Sequence, residues 1–377
     1  MDFDKILRLM VQKKASDLFV IVGIAPSIKV DGRLVPISKS KMNEEQCEEL
    51  ILSLMDPGQR DEFQATKECN FAIGRHEIGR FRVSAYVQRG SIAMVVRRIE
   101  SKIPTIDELL LPPVIAELSM TKRGLIIFVG ATGTGKSTSL AAMVGHRNQN
   151  SSGHIITIED PVEFTHNHAG CVVSQREVGV DTESFEVALK NTLRQAPDVI
   201  LIGEIRARQT MENALIFAET GHLCLATLHA NNANQAIDRI INFFPEEARE
   251  QAFMDLSLNL KGIIAQQLVR TVDGKGRRAV LEILINSPLM ADLIRKGEVH
   301  KLKDLMKRST EQGMISFDQN LYNLYQEGII SYDDAIRSAD SPNEVRLMVK
   351  LNSGNADSLS AQADGISLMN DEEWDAQ

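Results

Sequence analysis

The sequence predicts an α/β protein, and three observations support this fold class. From Gly124 onward, short apolar runs alternate with helical patterns, which is typical of a parallel sheet covered by helices on both faces. The segment Gly130–Ser137 fits the phosphate-loop pattern G-x-x-x-x-G-K-[ST] and lies between such a run and a helical pattern. With 377 residues, the chain is long enough for two or three domains. The core is therefore predicted to be a phosphate-loop nucleotide-hydrolase fold.

Residues 1–100 are predicted to form a small mixed α/β domain. Apolar residues recur at helical spacing between Phe3 and Val11, and Leu18–Val22 has the pattern of a strand. Asp31-Gly32 separates two further apolar runs and predicts a hairpin turn, because glycine tolerates a positive φ. Asn43 is expected to cap a helix.

Two later strands of this domain carry arginines. The predicted strands are Gly79–Tyr86 and Ile92–Val96, and Arg97 follows the second. Arg80 and Arg82 share one face of the first strand, because side chains alternate between faces. Arginines on strands are usually just solvated, so any role in catalysis needs support from elsewhere.

The remaining boundaries follow from proline, capping and charge patterns. Residues 101–123 contain three prolines and are predicted to connect the domains, and residues 124–286 are predicted to form the core. Residues 287–352 are predicted to be helical, because cap-forming serines precede helical patterns at Ser287, Ser316 and Ser331. Residues 353–377 contain no lysine or arginine and are predicted to be a disordered acidic tail with an exposed Trp374.

Composition narrows the classes of function. The net charge of -9 argues against a general electrostatic grip on nucleic acid. No apolar run approaches the about 20 residues of a membrane helix, so no integral membrane segment is expected. The four cysteines form no C-x-x-C pair, which disfavours a zinc site or a disulfide framework. A cytoplasmic protein is expected.

The phosphate loop predicts a site for ATP and Mg²⁺. Its glycines let backbone N–H groups converge on a phosphate, and the following helix adds a partial positive charge at its N-terminus. Lys136 would reach the β- and γ-phosphates, and Ser137 would offer its hydroxyl to Mg²⁺. The predicted nucleotide-binding residues are Gly130, Thr132, Gly133, Thr134, Gly135, Lys136, Ser137 and Thr138.

Three further strand ends carry polar chemistry. Ile158–Glu163 ends one strand with three carboxylates, and such a loop can hold a base that activates water. Glu204 follows another strand, where this fold usually places a partner of Mg²⁺. His222 and His229 bracket a third strand, although a lone histidine is often only structural.

Four ordered motifs together resemble the secretion-type ATPases: the phosphate loop, the acidic box Ile158–Glu163, the segment Leu193–Arg206 and the histidine box Thr220–His229. Their order is similar to that of the type IV pilus retraction ATPases, the PilT/PilU group, from Met1 to about Lys350. The segment Ala230–Gln235 and the acidic tail are more similar to the PilU side of this group.

The resemblance implies a PAS-like N-terminal domain, a RecA-like core and a helical C-terminal region. It implies Glu163 as the catalytic glutamate, Glu204 on the Mg²⁺ side, and His229 with His222 as sensors of the γ-phosphate. Arg82 and Arg97 match arginines that this family directs at a nucleotide across a domain or subunit boundary.

The same resemblance implies a hexameric ATPase of the pilus retraction machinery that powers pilus depolymerisation and twitching motility. Its implied partners are a paralogous retraction ATPase and the inner-membrane platform protein, at the cytoplasmic face of the inner membrane. Two alternatives stay open. The chain could be an accessory nucleotide-binding subunit with little ATPase activity of its own, because it departs from the family pattern at Ala196–Asp198 and Leu289–Arg295. A nucleic-acid translocase is disfavoured by the acidic charge.

Overall fold

The computed structural model describes residues 2–30, 32–100 and 102–352. The chain divides into two compact units. The first contains the described residues up to Ile127 together with Ser137–Leu228, and the second contains Phe128–Lys136 and the described residues from His229 onward. The domain boundaries at residues 100, 123 and 286 stay predictions. Asp31 of the expected hairpin turn, the tail 353–377 and Trp374 lie outside the described residues.

The N-terminal part of the first unit is a six-stranded antiparallel sheet with three helices. The strand order is β3-β2-β1-β6-β5-β4. The strands are β1 (Asp17–Val20), β2 (Ser27–Val30), β3 (Arg33–Pro36), β4 (Glu68–Arg75), β5 (Gly79–Gln88) and β6 (Ser91–Arg98). The helices are α1 (Phe3–Gln12), α2 (Glu44–Ser53) and α3 (Pro57–Thr66).

Local sequence explains most of these elements. The apolar stripe of α1 is buried in the core of this sheet, although Val11 is 37% exposed. Asn43 caps α2 through a capping box with Gln46, as its position predicts. The elements α3 and β4 were not predicted from the sequence. Asp56-Pro57 is a cap followed by proline at the first helical position, and β4 buries alternate residues, so both had recognisable signals.

The rest of the first unit is a sheet with helices around it. Its strands lie in the order β7-β11-β10-β8-β9, and β8, β9, β10 and β11 are parallel. The parallel sheet predicted for the core is therefore confirmed. The elements are α4 (Pro113–Ser119), β7 (Gly124–Val129), α5 (Lys136–Asn150), β8 (Gly153–Glu159), β9 (Cys171–Glu177), α6 (Phe185–Thr192), β10 (Val199–Ile202), α7 (Arg208–Glu219) and β11 (Leu223–Leu228).

The second unit combines an antiparallel strand pair with helices. The strands β12 (Leu260–Arg270) and β13 (Arg277–Ile285) pair along nine residues of each. Ser287, Ser316 and Ser331 accept hydrogen bonds from the third residue beyond each cap, so the predicted helix starts are confirmed. The helices are α8 (Ala233–Asn242), α9 (Arg249–Asn259), α10 (Pro288–Arg295), α11 (Leu302–Arg308), α12 (Phe317–Gln326), α13 (Tyr332–Ser338) and α14 (Pro342–Asn352).

Among the described residues, no helix has the length and apolar character needed to cross a membrane.

Candidate nucleotide-binding site

The phosphate loop joins β7 to α5, and its glycines take backbone conformations that other residues avoid. Gly133 and Gly135 have φ of +79° and +87°, in the left-handed region. A Cβ on Gly130 would lie 2.7 Å from the Thr134 hydroxyl oxygen. The loop leads directly into α5, which begins at Lys136 and places its positive dipole end beside the loop. This geometry fits a bound phosphate group.

Lys136 closes the loop from within. Its Nζ atom donates to the carbonyl oxygen of Gly130 at 2.7 Å and to that of Ala131 at 2.8 Å. The Thr134 hydroxyl also donates to the Ala131 carbonyl, at 2.9 Å. The loop is therefore already compact around a positive charge. Thr132 is exposed at its tip, and Ser137 and Thr138 are partly exposed in the first turn of α5.

Two side chains of the second unit contact this loop. The Nδ1 atom of His229, just after β11, lies 3.3 Å from the Gly130 carbonyl oxygen. Gln266 on β12 is 2% exposed and donates from Nε2 to the Thr134 carbonyl at 2.9 Å. His229 was predicted as a site residue from the sequence, whereas Gln266 was not, because β12 itself was not predicted.

The acidic box forms the end of β8 and the loop that follows. Glu159 is the last residue of β8, and Glu163 is exposed in the loop. The Glu159 carboxylate accepts hydrogen bonds from Thr157 Oγ1 at 2.6 Å and from Gln175 Nε2 at 3.2 Å. Burial raises the pKa of Glu159, and the negative charge of Glu163 raises it further. Glu159 is therefore a buried, hydrogen-bonded carboxylate, whereas the Glu163 side chain is exposed.

Glu204 follows β10 and belongs to a small ion-pair cluster in the first unit. Its Oε2 atom lies 2.6 Å from a terminal nitrogen of Arg206, and the same guanidinium lies 3.4 Å from Asp160. The hydrogen bond to Glu204 is the largest cause of a raised pKa of Arg206. Arg206 and Asp160 were not predicted as partners of Glu204. Asp160 is 46 residues from Arg206 along the chain, so only the fold brings these two side chains together.

The two predicted arginines are direct neighbours in the N-terminal sheet. Arg82 on β5 is the cross-strand partner of Arg97 on β6. Each guanidinium lies near a buried carboxylate. Arg97 Nε is 2.9 Å from Asp17 Oδ1, and Arg82 Nε is 3.8 Å from Glu177 Oε1. The structure therefore pairs both arginines with acids of the same chain. Glu177, at the end of β9, also accepts a hydrogen bond from the Val162 N–H.

His222 lies apart from the acidic residues. His222 precedes β11, whereas Glu204 follows β10. Because these neighbouring strands are parallel, the two residues lie at opposite ends of the strands. Its Nδ1 atom is 3.1 Å from the Thr220 hydroxyl and 3.2 Å from the Phe217 carbonyl. These local contacts explain its position, and they give no support to the predicted role of His222 as a γ-phosphate sensor within one chain.

Comparison with known proteins shows the family to which this chain belongs. The family model described as Type II/IV secretion system protein matches residues 2–337. The type IV pilus ATPase PilU of Pseudomonas aeruginosa is 65% identical over 369 residues, covering 98% of this chain and 97% of that protein. The type IV pilus retraction ATPase PilT of the same organism is 39% identical over 342 residues, covering 91% and 99%.

Two solved structures of similar proteins match this chain in fold. A crystal structure of the pilus retraction motor PilT with bound ADP superposes with a TM-score of 0.85 at 38% identity, and the match covers 92% of this chain and 99% of that one. The ATPase DotB of Legionella pneumophila gives a TM-score of 0.76 at 27% identity, covering 88% and 93%. The predicted fold class is therefore confirmed, with an N-terminal α/β domain and an ATPase core. The chain is a nucleotide-binding ATPase of the type II/IV secretion system protein family and belongs to its PilT/PilU group, with greater similarity to PilU than to PilT.

Proposed function

We propose that this chain is a hexameric ATPase of the type IV pilus retraction machinery that powers pilus depolymerisation and twitching motility. The observation that carries the proposal is the compact phosphate loop, in which Lys136 holds the Gly130 and Ala131 carbonyls and His229 lies beside Gly130. Group membership and the name of the PilU relative support the pilus assignment.

The loop fits the phosphate chain of ATP. Its positive-φ glycines leave room for backbone N–H groups to face an anion, and a cation already sits within it. In the proposed reaction Lys136 binds the β- and γ-phosphates. The predicted contacts from Gly130, Thr132, Gly133, Thr134, Gly135 and Thr138 position the rest of the triphosphate.

Ser137 and Glu204 are the proposed holders of Mg²⁺. A hydroxyl and a carboxylate offer the oxygen ligands that this ion prefers, so the donor set fits. When bound, Mg²⁺ would neutralise charge that develops on the phosphates. Mg²⁺ at Glu204 would compete with its ion pair to Arg206.

Glu163 is the proposed general base. Its exposed side chain can approach a water molecule, whereas the Glu159 carboxylate is occupied by Thr157 and Gln175. His229 is proposed to sense the γ-phosphate from its place beside Gly130. Arg82 and Arg97 are proposed to stabilise phosphate charge across a domain or subunit boundary, and His222 to assist His229 in that setting.

The proposed assembly works beside other components. A paralogous retraction ATPase and the inner-membrane pilus platform protein are the proposed partners, at the cytoplasmic face of the inner membrane. The domain organisation predicted from sequence is part of the proposal: a PAS-like domain at residues 1–100 moves against the core at residues 124–286. Nucleic acid is not a proposed partner.

One observation favours the alternative of an accessory subunit with little ATPase activity of its own. Arg206 holds the carboxylate proposed for Mg²⁺ at 2.6 Å and also contacts Asp160. An acid engaged in this way binds a metal less readily. A partner ATPase would then be needed to release Glu204.

The test is steady-state ATPase activity of the purified chain together with its mass in solution, with and without a paralogous retraction ATPase. The main proposal expects a hexamer with turnover that Lys136→Ala lowers by about 10²–10³, and loss of twitching when the gene is deleted. Turnover that arises only on adding the paralogue would support the accessory role. A monomer that neither binds nor hydrolyses ATP under any of these conditions would contradict both.

A further inference from the structure

Gln266 on β12 makes a specific hydrogen bond to the phosphate loop. The side chain is 2% exposed, and its Nε2 atom donates to the Thr134 carbonyl at 2.9 Å. The two residues are 132 positions apart, so the contact is a product of the fold. A buried amide that donates to one loop carbonyl fixes the direction of that carbonyl.

The glycines of the loop leave the space that Gln266 occupies. A Cβ on Gly135 would lie 2.8 Å from Gln266 Nε2, and a Cβ on Gly130 would collide with the Gln266 backbone carbonyl. Both glycines therefore serve close packing against β12 as well as their own backbone conformations. The loop and this strand residue fit each other as a pair.

Peptide planarity connects this hydrogen bond to the nucleotide. The Thr134 carbonyl and the Gly135 N–H belong to one peptide unit, and in a trans peptide these groups point in opposite directions. When Gln266 holds the carbonyl toward β12, the Gly135 N–H must point away from β12. A backbone N–H at this place in a phosphate loop is one that faces a bound phosphate.

Gln266 also carries an unsatisfied group. Its Oε1 atom is buried and has no hydrogen-bond partner among the described residues. Leaving a buried acceptor unpaired destabilises the folded state, so a polar side chain is unfavourable here if packing alone is needed. An apolar residue of similar length would fill the same space without that cost. The role of this side chain therefore lies in the hydrogen bond that its amide nitrogen donates to Thr134.

We propose that Gln266 is a positioning residue for the nucleotide phosphates, acting through Thr134 to aim the Gly135 N–H at the phosphate chain. This proposal rests on the proposed function, in which the loop binds ATP. Gln266 itself does not contact the nucleotide.

The first test replaces the amide by an apolar group of similar length. Gln266→Met keeps burial and volume but removes the donor. We expect the affinity for a fluorescent ADP analogue (mant-ADP) to fall about tenfold, and the KM for ATP to rise to match, because one oriented hydrogen bond is lost. The kcat should change by less than about twofold, since the residue does not touch the reacting atoms.

The neighbouring residue provides a matched control. Gln267 lies on the other face of β12 and donates to the Ser338 carbonyl at 2.9 Å, away from the loop. Gln267→Met removes the same kind of hydrogen bond from the same strand. It should leave mant-ADP affinity unchanged even if it lowers the melting temperature.

A second variant gives a readout that packing cannot mimic. In Gln266→Glu the introduced carboxyl can donate to Thr134 only when it is protonated, and burial raises the pKa of such a group. Its mant-ADP affinity, relative to that of the unaltered protein, should therefore rise as pH is lowered from about 8 to about 5.5. The corresponding ratio for Gln266→Met should stay flat.

The outcomes separate this proposal from the proposed function. If the unaltered protein binds mant-ADP but Gln266→Met binds equally well, or if Gln267→Met loses as much affinity, the positioning role is wrong while the ATPase assignment stands. A flat relative pH profile for Gln266→Glu would overturn it as well, even if Gln266→Met does not fold. Failure of the unaltered protein to bind any adenine nucleotide would overturn the proposed function and this inference with it.

Discussion

The phosphate loop and the arginine pair of the N-terminal sheet hold their functional groups in different ways. In the loop, Lys136 and Gln266 donate to backbone carbonyls, and glycine conformations set the path of the chain. In the sheet, Arg82 and Arg97 stand opposite each other, and each relies on a carboxylate elsewhere in the chain.

The difference lies in how strongly each arrangement is fixed. The loop geometry follows from local residue types, because only glycine adopts its positive φ angles without strain. The arginine pairs depend on long side chains, and Arg97 remains 70% exposed despite its contact with Asp17. An ion pair with so exposed an arginine contributes little to stability. The loop is therefore a fixed receptor, whereas the arginines are able to change partners when a nucleotide offers a stronger negative charge.

The largest expected effect would come from Arg82→Ala. If Arg82 leaves Glu177 to stabilise phosphate charge, its removal should lower ATP turnover by about 10³–10⁵. The matched control is Arg80→Ala, on the same face of β5, which loses only a 3.5 Å contact to Asp181. Steady-state ATPase assays of both variants measure the difference.

Stability must be compared in the same samples. Arg82→Ala removes the 3.8 Å contact between Arg82 and the buried Glu177, so the melting temperature of the variant is expected to fall. A folded variant with normal turnover and a lowered melting temperature would show that Arg82 is only a structural partner of Glu177. Arg82 would then not be an arginine that changes partners when a nucleotide binds.

A smaller effect is expected from Lys136→Ala on the loop side. Removing a preorganised cation from a phosphate site should lower turnover by about 10²–10³ and weaken nucleotide binding in parallel. The exposed Lys122→Ala serves as a control for general loss of charge. Nucleotide titration and turnover measured together test this, and retention of tight ATP binding would contradict the assignment of the loop.

Outside both regions, the carboxylate of Glu282 is buried and is held by a backbone N–H group. Glu282 is 2% exposed and accepts from the Ala233 N–H at 2.8 Å. Burial raises its pKa from 4.5 to about 7, with Asp340 adding to the rise and Lys303 opposing it. The folded state therefore binds this proton more tightly than the unfolded state does.

The resulting pH dependence has a definite sign. The stabilisation from protonated Glu282 is fully present below about pH 4.5 and is lost as pH rises to about 7, by about 3 kcal/mol. Glu282→Gln should remove this slope, so that its free energy of unfolding relative to the unaltered protein rises across that range. Denaturant melts at several pH values measure it, with the exposed Glu250→Gln as control. Parallel curves for Glu282→Gln and the unaltered protein would exclude a raised pKa.

Sequence patterns were informative where a structure depends on neighbouring residues. The glycines of the phosphate loop and the caps at Asn43, Ser287 and Ser316 were all identified from local residue types. β12 was missed because it follows α9 without a turn and contains glycine and two glutamines, which are poor strand signals.

Partners distant in sequence were not predictable. Nothing near Arg82 indicates Glu177, and nothing near Thr134 indicates Gln266, because tertiary packing alone brings these pairs together. The contact of Arg206 with Asp160, 46 residues away, has the same limit, whereas the contact of Arg206 with Glu204 is local. Sequence therefore located the candidate groups better than it located the contacts that tune them.

The most direct test of the account is Glu163→Gln, measured for nucleotide binding and for turnover in one preparation. The exposed Glu163 is the proposed base, and the loop that binds the phosphates does not depend on it. We expect turnover to fall by about 10²–10⁴ while mant-ATP affinity stays within about twofold. Unchanged turnover, or an equal loss of binding and turnover, would contradict the proposal that Glu163 activates water at a preformed phosphate site.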